Sequence, residues 1–126
     1  MDPYDETPER IQASYQKYQK EPNNPAHSLA IATLYEQQKE YANALPWLEC
    51  AFDLRQRRDS VLEGRILAAR IQALKKEIAQ LQAELNSEKD PSERVEYQKA
   101  TDQKLDELND LLKIRKERNH DSDLSN

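Results

Sequence analysis

"LYEQQKEYANALPWLECA", Leu34 to Ala51, decides how the rest of the chain is read. From Tyr41 onward, Tyr41, Ala44, Leu45 and Leu48 fall at i, i+3, i+4 and i+7, and Ala51 and Phe52 stand three and four beyond Leu48. That spacing puts them on one side of a helix running from about Glu40 to Arg55. Trp47, Cys50 and Leu54 form a second stripe beside the first. A helix apolar on two sides is packed on two sides, so this one is predicted to lie in the middle of a layer. Pro46 falls inside it. A proline there removes one hydrogen bond and crowds the carbonyl of Ala42, at about 3 kcal/mol, so a bend is predicted between Ala42 and Pro46.

Upstream, a helix from about Ala26 to Gln38 turns Leu29, Ala32 and Tyr35 or Leu34 inward, and a short break near Lys39 separates it from the next. "EPNNP", residues 21–25, interrupts the chain before it, because each proline disfavours helix at the residue it follows. Earlier still, Thr7-Pro8-Glu9-Arg10 has the form of a helix start, a hydroxyl cap followed by proline at the first helical position. That helix is predicted to end near Lys20, with Ile11, Tyr15 and Tyr18 on one side.

Downstream, Ser60 with Glu63 forms a capping box opening a helix to about Asn86. Within it Leu67, Ile71, Leu74, Ile78, Leu81 and Leu85 alternate spacings of four and three, the seam of a coiled coil. Asp90-Pro91-Ser92-Glu93 opens a last helix to about Arg118, whose seam holds Val95, Leu105, Leu108, Leu111 and Leu112. Each of these helices is about 40 Å long at 1.5 Å per residue. The short connection "SEKD" makes them antiparallel neighbours. Toward the tip, Ile78, Leu81 and Leu85 face mainly Val95, Tyr97, Gln98 and Thr101, which leaves apolar surface over. That surface is either half-exposed or covered by a second copy or another protein's helix. The polar end, residues 119–126, is expected to be disordered.

Composition narrows the function classes. One glycine in 126 residues, 34% charged and 37% hydrophobic, favours long helices over strands and large cores. A formal charge of −5 argues against nucleic acid, whose phosphates call for a basic surface. The acidic start "MDPYDETPER" is unlike a secretory signal, and no run of about 18 apolar residues could span a bilayer. A cytoplasmic protein is expected. His27 and His120 have no companion at ligand spacing, and Cys50 lies among apolar residues where a thiol is inert. Gly64, the sole glycine, sits within a helix and excludes a phosphate-binding loop. No catalytic residue, metal, cofactor or small-molecule substrate is expected. The basic runs Arg55, Arg57, Arg58 and Lys113, Arg115, Lys116, Arg118 close helices, where cations suit the dipole. They could otherwise meet an acidic partner or membrane headgroups.

The region from 8 to 58 resembles the tetratricopeptide repeat, a helix–turn–helix of about 34 residues. With Pro25 as the first position, the pattern's small residues fall on Ala32, Ala44 and Ala51, its tyrosines on Tyr35 and Tyr41, and Leu48 stands for phenylalanine. Ser28 replaces the usual large aromatic, Lys39 stands where many repeats have glycine, and Gln56 where a closing proline is common. The resemblance implies a partial repeat (8–20) and a full one (25–58) in residues 1–58, then a long antiparallel hairpin over 59–118. Such units bury their faces against neighbours, and about three are usual. Val61, Leu62, Ile66 and Ala69 are therefore expected to dock on the Trp47 and Leu54 stripe as a following repeat would.

The fold expected is all-α, a short repeat-like array packed on a long antiparallel hairpin. The resemblance further implies a groove lined by first helices, here Ala26, Leu29, Ala30, Thr33, Glu36 and Gln37. None is basic, so the carboxylate clamp of the chaperone-binding members does not carry over. The expected function is a non-enzymatic adaptor. Its partner, another protein or a second copy, would meet Leu29, Thr33, Glu36 and Gln37 or the hairpin residues Ile78, Leu81 and Leu85. The alternative is a purely structural assembly subunit with no peptide groove.

Overall fold

The computed structural model describes residues 7–124. Among them are five helices and no strand: α1 (Thr7–Lys20), α2 (Pro25–Gln37), α3 (Tyr41–Leu54), α4 (Ser60–Ser87) and α5 (Pro91–Leu124). The fold is all-α. Its contacts divide the chain into two compact units, Met1–Ala69 and Arg70–Asn126. The division falls inside α4 rather than at residue 58, because Leu62, Ile66 and Ala69 belong to the core of the first unit.

Local chemistry explains the element boundaries of the first unit. Asn24 is extended (φ −91°, ψ 110°), and its side chain accepts from the Ala26 N–H at 3.0 Å, with Pro25 next at the first helical position. This cap was not singled out in the sequence. Between α2 and α3, Lys39 adopts φ 59°, the left-handed turn where the repeat pattern places glycine. The N–H of Gln38 and that of Glu40 both donate to the Tyr35 carbonyl there. After α3 two residues in succession, Gln56 and Arg57, have φ near 56° and 55°. Arg57 is held by Asp53 at 2.6 Å and lies over the Phe52 ring, 4.6 Å from its centroid. The cap of α4 is Asp59, one residue before Ser60: its Oδ1 accepts from the N–H groups of Val61 and Leu62. Across Pro46 α3 is continuous from Tyr41 to Leu54, with the ring on its exposed side.

The core of the first unit gathers Ala32, Ala44, Leu48, Ala51, Phe52, Leu62, Ile66 and Ala69, with Leu29, Tyr35, Tyr41, Leu45 and Trp47 packed against it. Ala32 and Ala44 are both fully buried where α2 packs on α3. Ser28, also buried, donates its hydroxyl to the Pro25 carbonyl at 3.2 Å. The docking expected of the first turns of α4 holds for Leu62, Ile66 and Ala69 but not for Val61, and Trp47 has a second neighbour. Trp47 receives the α1 tyrosines, with ring centroids 6.0 Å from Tyr15 and 5.0 Å from Tyr18, both edge-on. Trp47 thus packs on α1 as well as against the core that holds Leu62, Ile66 and Ala69. Val61 is 72% exposed and docks on nothing, because Leu62, one residue on, takes the inward direction.

In the second unit the C-terminal part of α4 and α5 run antiparallel. Lys104 pairs with Glu77 at 3.2 Å, and Arg94 donates to the carbonyls of Leu85 (2.8 Å) and Glu88 (2.9 Å). The last turn of α4 thus gains donors for carbonyls that have no intrahelical partner. Asp90 caps α5 by accepting from the Ser92 N–H at 3.1 Å. Ile71, Leu74 and Ile78 are buried along α4, while Leu105, Leu108, Leu111 and Leu112 are half-buried along α5. Thr101 is buried too, its hydroxyl donating to the Tyr97 carbonyl at 2.7 Å. Val95 is 52% exposed and so is not part of the seam. Helix continues to Leu124, through most of the stretch expected to be disordered; residues 125 and 126 lie outside the described residues.

Candidate functional site

The groove residues lie on α2, which a capped first turn and the buried Ser28, Ile31 and Ala32 hold against its neighbours. Leu29 is half-buried and packs on the core, whereas Ala26, Ala30, Thr33 and Gln37 are exposed. Those four recur at helical spacing, so α2 presents a ridge of mostly short, uncharged side chains. The Thr33 hydroxyl donates to the Leu29 carbonyl at 2.9 Å.

Arg65, from α4, reaches over this face. Its Nη2 donates to Thr33 Oγ1 at 3.2 Å and also pairs with Glu36. Two of the four groove residues singled out are therefore engaged by a cation that the sequence did not put among them. Nothing in local spacing could reveal it, since Arg65 is 29 positions from Glu36. Leu29 and Gln37 are left outside that contact.

Beside the groove helix, Tyr15, Tyr18 and Trp47 form an aromatic cluster in which Tyr15 and Tyr18 stack at 6.2 Å. Cys50 lies beside the Tyr18 hydroxyl and pushes its pKa up, with burial adding to the effect. At the junction of α1 and α2, His27 Nε2 meets Glu21 Oε2 at 2.9 Å. Hydrogen bonds from His27 and Asn24 hold the Glu21 carboxyl below its ordinary range. This clip joins two helix ends, and among the described residues no group of three or more His, Cys, Asp or Glu is placed to hold a metal ion.

On the hairpin, Ile78 is only 6% exposed, so its side chain fills the seam and is not available to a partner. Leu81 and Leu85 are half-buried and do reach the surface. The Tyr97 phenol nearby is raised by the carboxylates of Glu84, then by burial, then by Glu88 and Glu93. Near the far end of α5, Leu112, Arg115, Lys116, Asn119 and His120 share one face around a shallow hollow.

No family model, curated protein or solved structure matches the chain. Among the described residues, no helix is long and apolar enough to cross a membrane.

Proposed function

We propose that the protein is a non-enzymatic adaptor, in which a tetratricopeptide-like platform offers the α2 face to another protein and the hairpin associates with a further chain. The observation that carries the platform reading is the wholly buried pair Ala32 and Ala44 where α2 meets α3. Small residues at those two positions let paired helices approach closely, and they leave the opposite side of α2 open. A partner laid along Ala26, Ala30, Thr33 and Gln37 would meet a shallow ridge, with Leu29 as its apolar anchor and Glu36 and Arg65 as its polar rim.

A second reading has a specific observation in its favour. Arg65 already occupies Thr33 and Glu36, which suits a closed structural base better than an open groove. On that reading the chain is an assembly subunit working through its hairpin alone. Thr33→Arg separates the two, because it fills the ridge and repels Arg65 without disturbing a buried side chain. Proteins retained by the immobilised full chain are compared with those retained by the variant. Loss of a specific retained protein supports the adaptor, and an unchanged set refutes the groove.

A further inference from the structure

The outward side of α5 carries a stripe that the hairpin itself does not use. Glu96, Lys99, Gln103, Asp106, Asp110 and Lys113 follow one another at spacings of three and four, and all six are exposed. The stripe spans about 26 Å of helix at 1.5 Å per residue. Val95 and Ile114 stand at its two ends, and both are among the few large apolar side chains left exposed. Within the stripe, Glu96 pairs with Lys99 at 3.9 Å, between side chains that are mostly in solvent.

The order of charges is the informative feature. Laid antiparallel against itself about a two-fold axis between Gln103 and Asp106, the stripe sets Glu96 opposite Lys113 and Lys99 opposite Asp110. Gln103 then faces Asp106 as an amide donor to a carboxylate. The axis makes every one of these pairs occur twice, as an isologous contact requires. Other arrangements fail. A shift of one heptad in one direction sets Asp106 against Asp110, and in the other direction Glu96 against Asp106. A parallel pairing in register sets each charge against its own kind. Repulsion of this sort selects one register among helices of otherwise similar surface.

We propose that this outward face of α5 is a homodimer interface, on which a second copy of the chain docks antiparallel with Glu96 on Lys113 and Lys99 on Asp110. The inference rests on the associating role given to the hairpin above, and it names the partner and the face. With exposed ion pairs and with Val95 and Ile114 only at its flanks, the dimer is weak and sensitive to salt.

The full chain is followed by sedimentation at about 200 µM, in about 20 mM and then about 1 M salt, the Debye length falling to about 3 Å in the latter. Dimer is expected in the first condition and monomer in the second. An acidic-stripe variant, Lys99→Glu with Lys113→Glu, and a basic-stripe variant, Glu96→Lys with Asp110→Lys, each alter exposed residues only. Helicity by circular dichroism confirms that both fold. Each alone is expected to weaken association by about tenfold or more, and an equimolar mixture to form a heterodimer. A dimer indifferent to salt and to both variants, yet broken by Leu81→Glu with Leu85→Glu, overturns this interface and leaves hairpin association standing. A monomer under every condition overturns both.

Discussion

Replacing Leu62 by alanine tests whether the first turns of α4 complete the core of the first unit. Leu62 is 2% exposed and packs with Leu48, Phe52 and their neighbours, while Val61 beside it on the same helix is 72% exposed. Truncating a buried leucine costs about 2 to 5 kcal/mol, from lost transfer energy and from the cavity left behind. Folded proteins hold roughly 0.05 to 0.15 kcal/mol per residue, so a unit ending at Ala69 has about 3 to 10 kcal/mol in all. Leu62→Ala should therefore remove from about a fifth of that stability to all of it. Val61→Ala should be neutral, or stabilising by a few tenths of about 1 kcal/mol, because alanine is the better helix former. Trp47 is the sole tryptophan and lies in this unit, so its fluorescence during urea titration reports on the first unit by itself. With a slope of about 1 kcal/mol per molar urea, the Leu62→Ala midpoint should fall by about 2 M or more. A fall below about 1 M, or an equal fall for Val61→Ala, refutes the assignment of α4's first turns to this core.

Three further outcomes follow from single residues. Pro46→Ala restores a hydrogen bond to the Ala42 carbonyl in a continuous helix, and should raise the urea midpoint by the equivalent of about 1 to 3 kcal/mol. Lys39→Gly should stabilise by about 0.5 to 1 kcal/mol, since φ 59° costs a side-chain-bearing residue and not glycine; Lys39→Val should do the reverse. Asp59 is held below the ordinary carboxylate range by the Leu62 N–H, then by Arg55, with a smaller contribution from the Val61 N–H. A lowered folded pKa means stability that is complete above the unfolded value of about 3.9 and is lost as pH falls through the folded one. Asp59→Asn should flatten that acid limb in thermal melts recorded from about pH 5 to about pH 2.

Much of the local structure was legible because its causes lie within a few residues. The prolines of "EPNNP" and Asp90-Pro91 marked breaks, and the spacing of Tyr41, Ala44, Leu48 and Ala51 marked the buried side of α3. Capping was legible to within one residue: Asp59 and Ser60 are both good caps, and only the backbone geometry chose the first. The helical course of residues 119–124 was missed because polar side chains weigh against a packed element without forbidding helix. The candidate surfaces were legible only in part. Leu29, Thr33, Glu36 and Gln37 do lie along α2, but Arg65 on two of them was invisible. Ile78 shared its spacing with Leu81 and Leu85, yet it alone of the three is buried.

By itself the sequence determined that the chain is helical, where the helices begin to within a residue or two, and most of the residues on their apolar sides. Periodicity, proline and capping act over three or four residues, and those distances are written directly in the order of side chains. Only the tertiary structure decided which apolar side meets which. Trp47 turns to Tyr15 and Tyr18, Leu62 rather than Val61 enters the core, and Arg65 closes on Glu36. Such contacts join residues about thirty positions apart, and helix spacing is equally satisfied by several partners until volume and charge are compared in three dimensions.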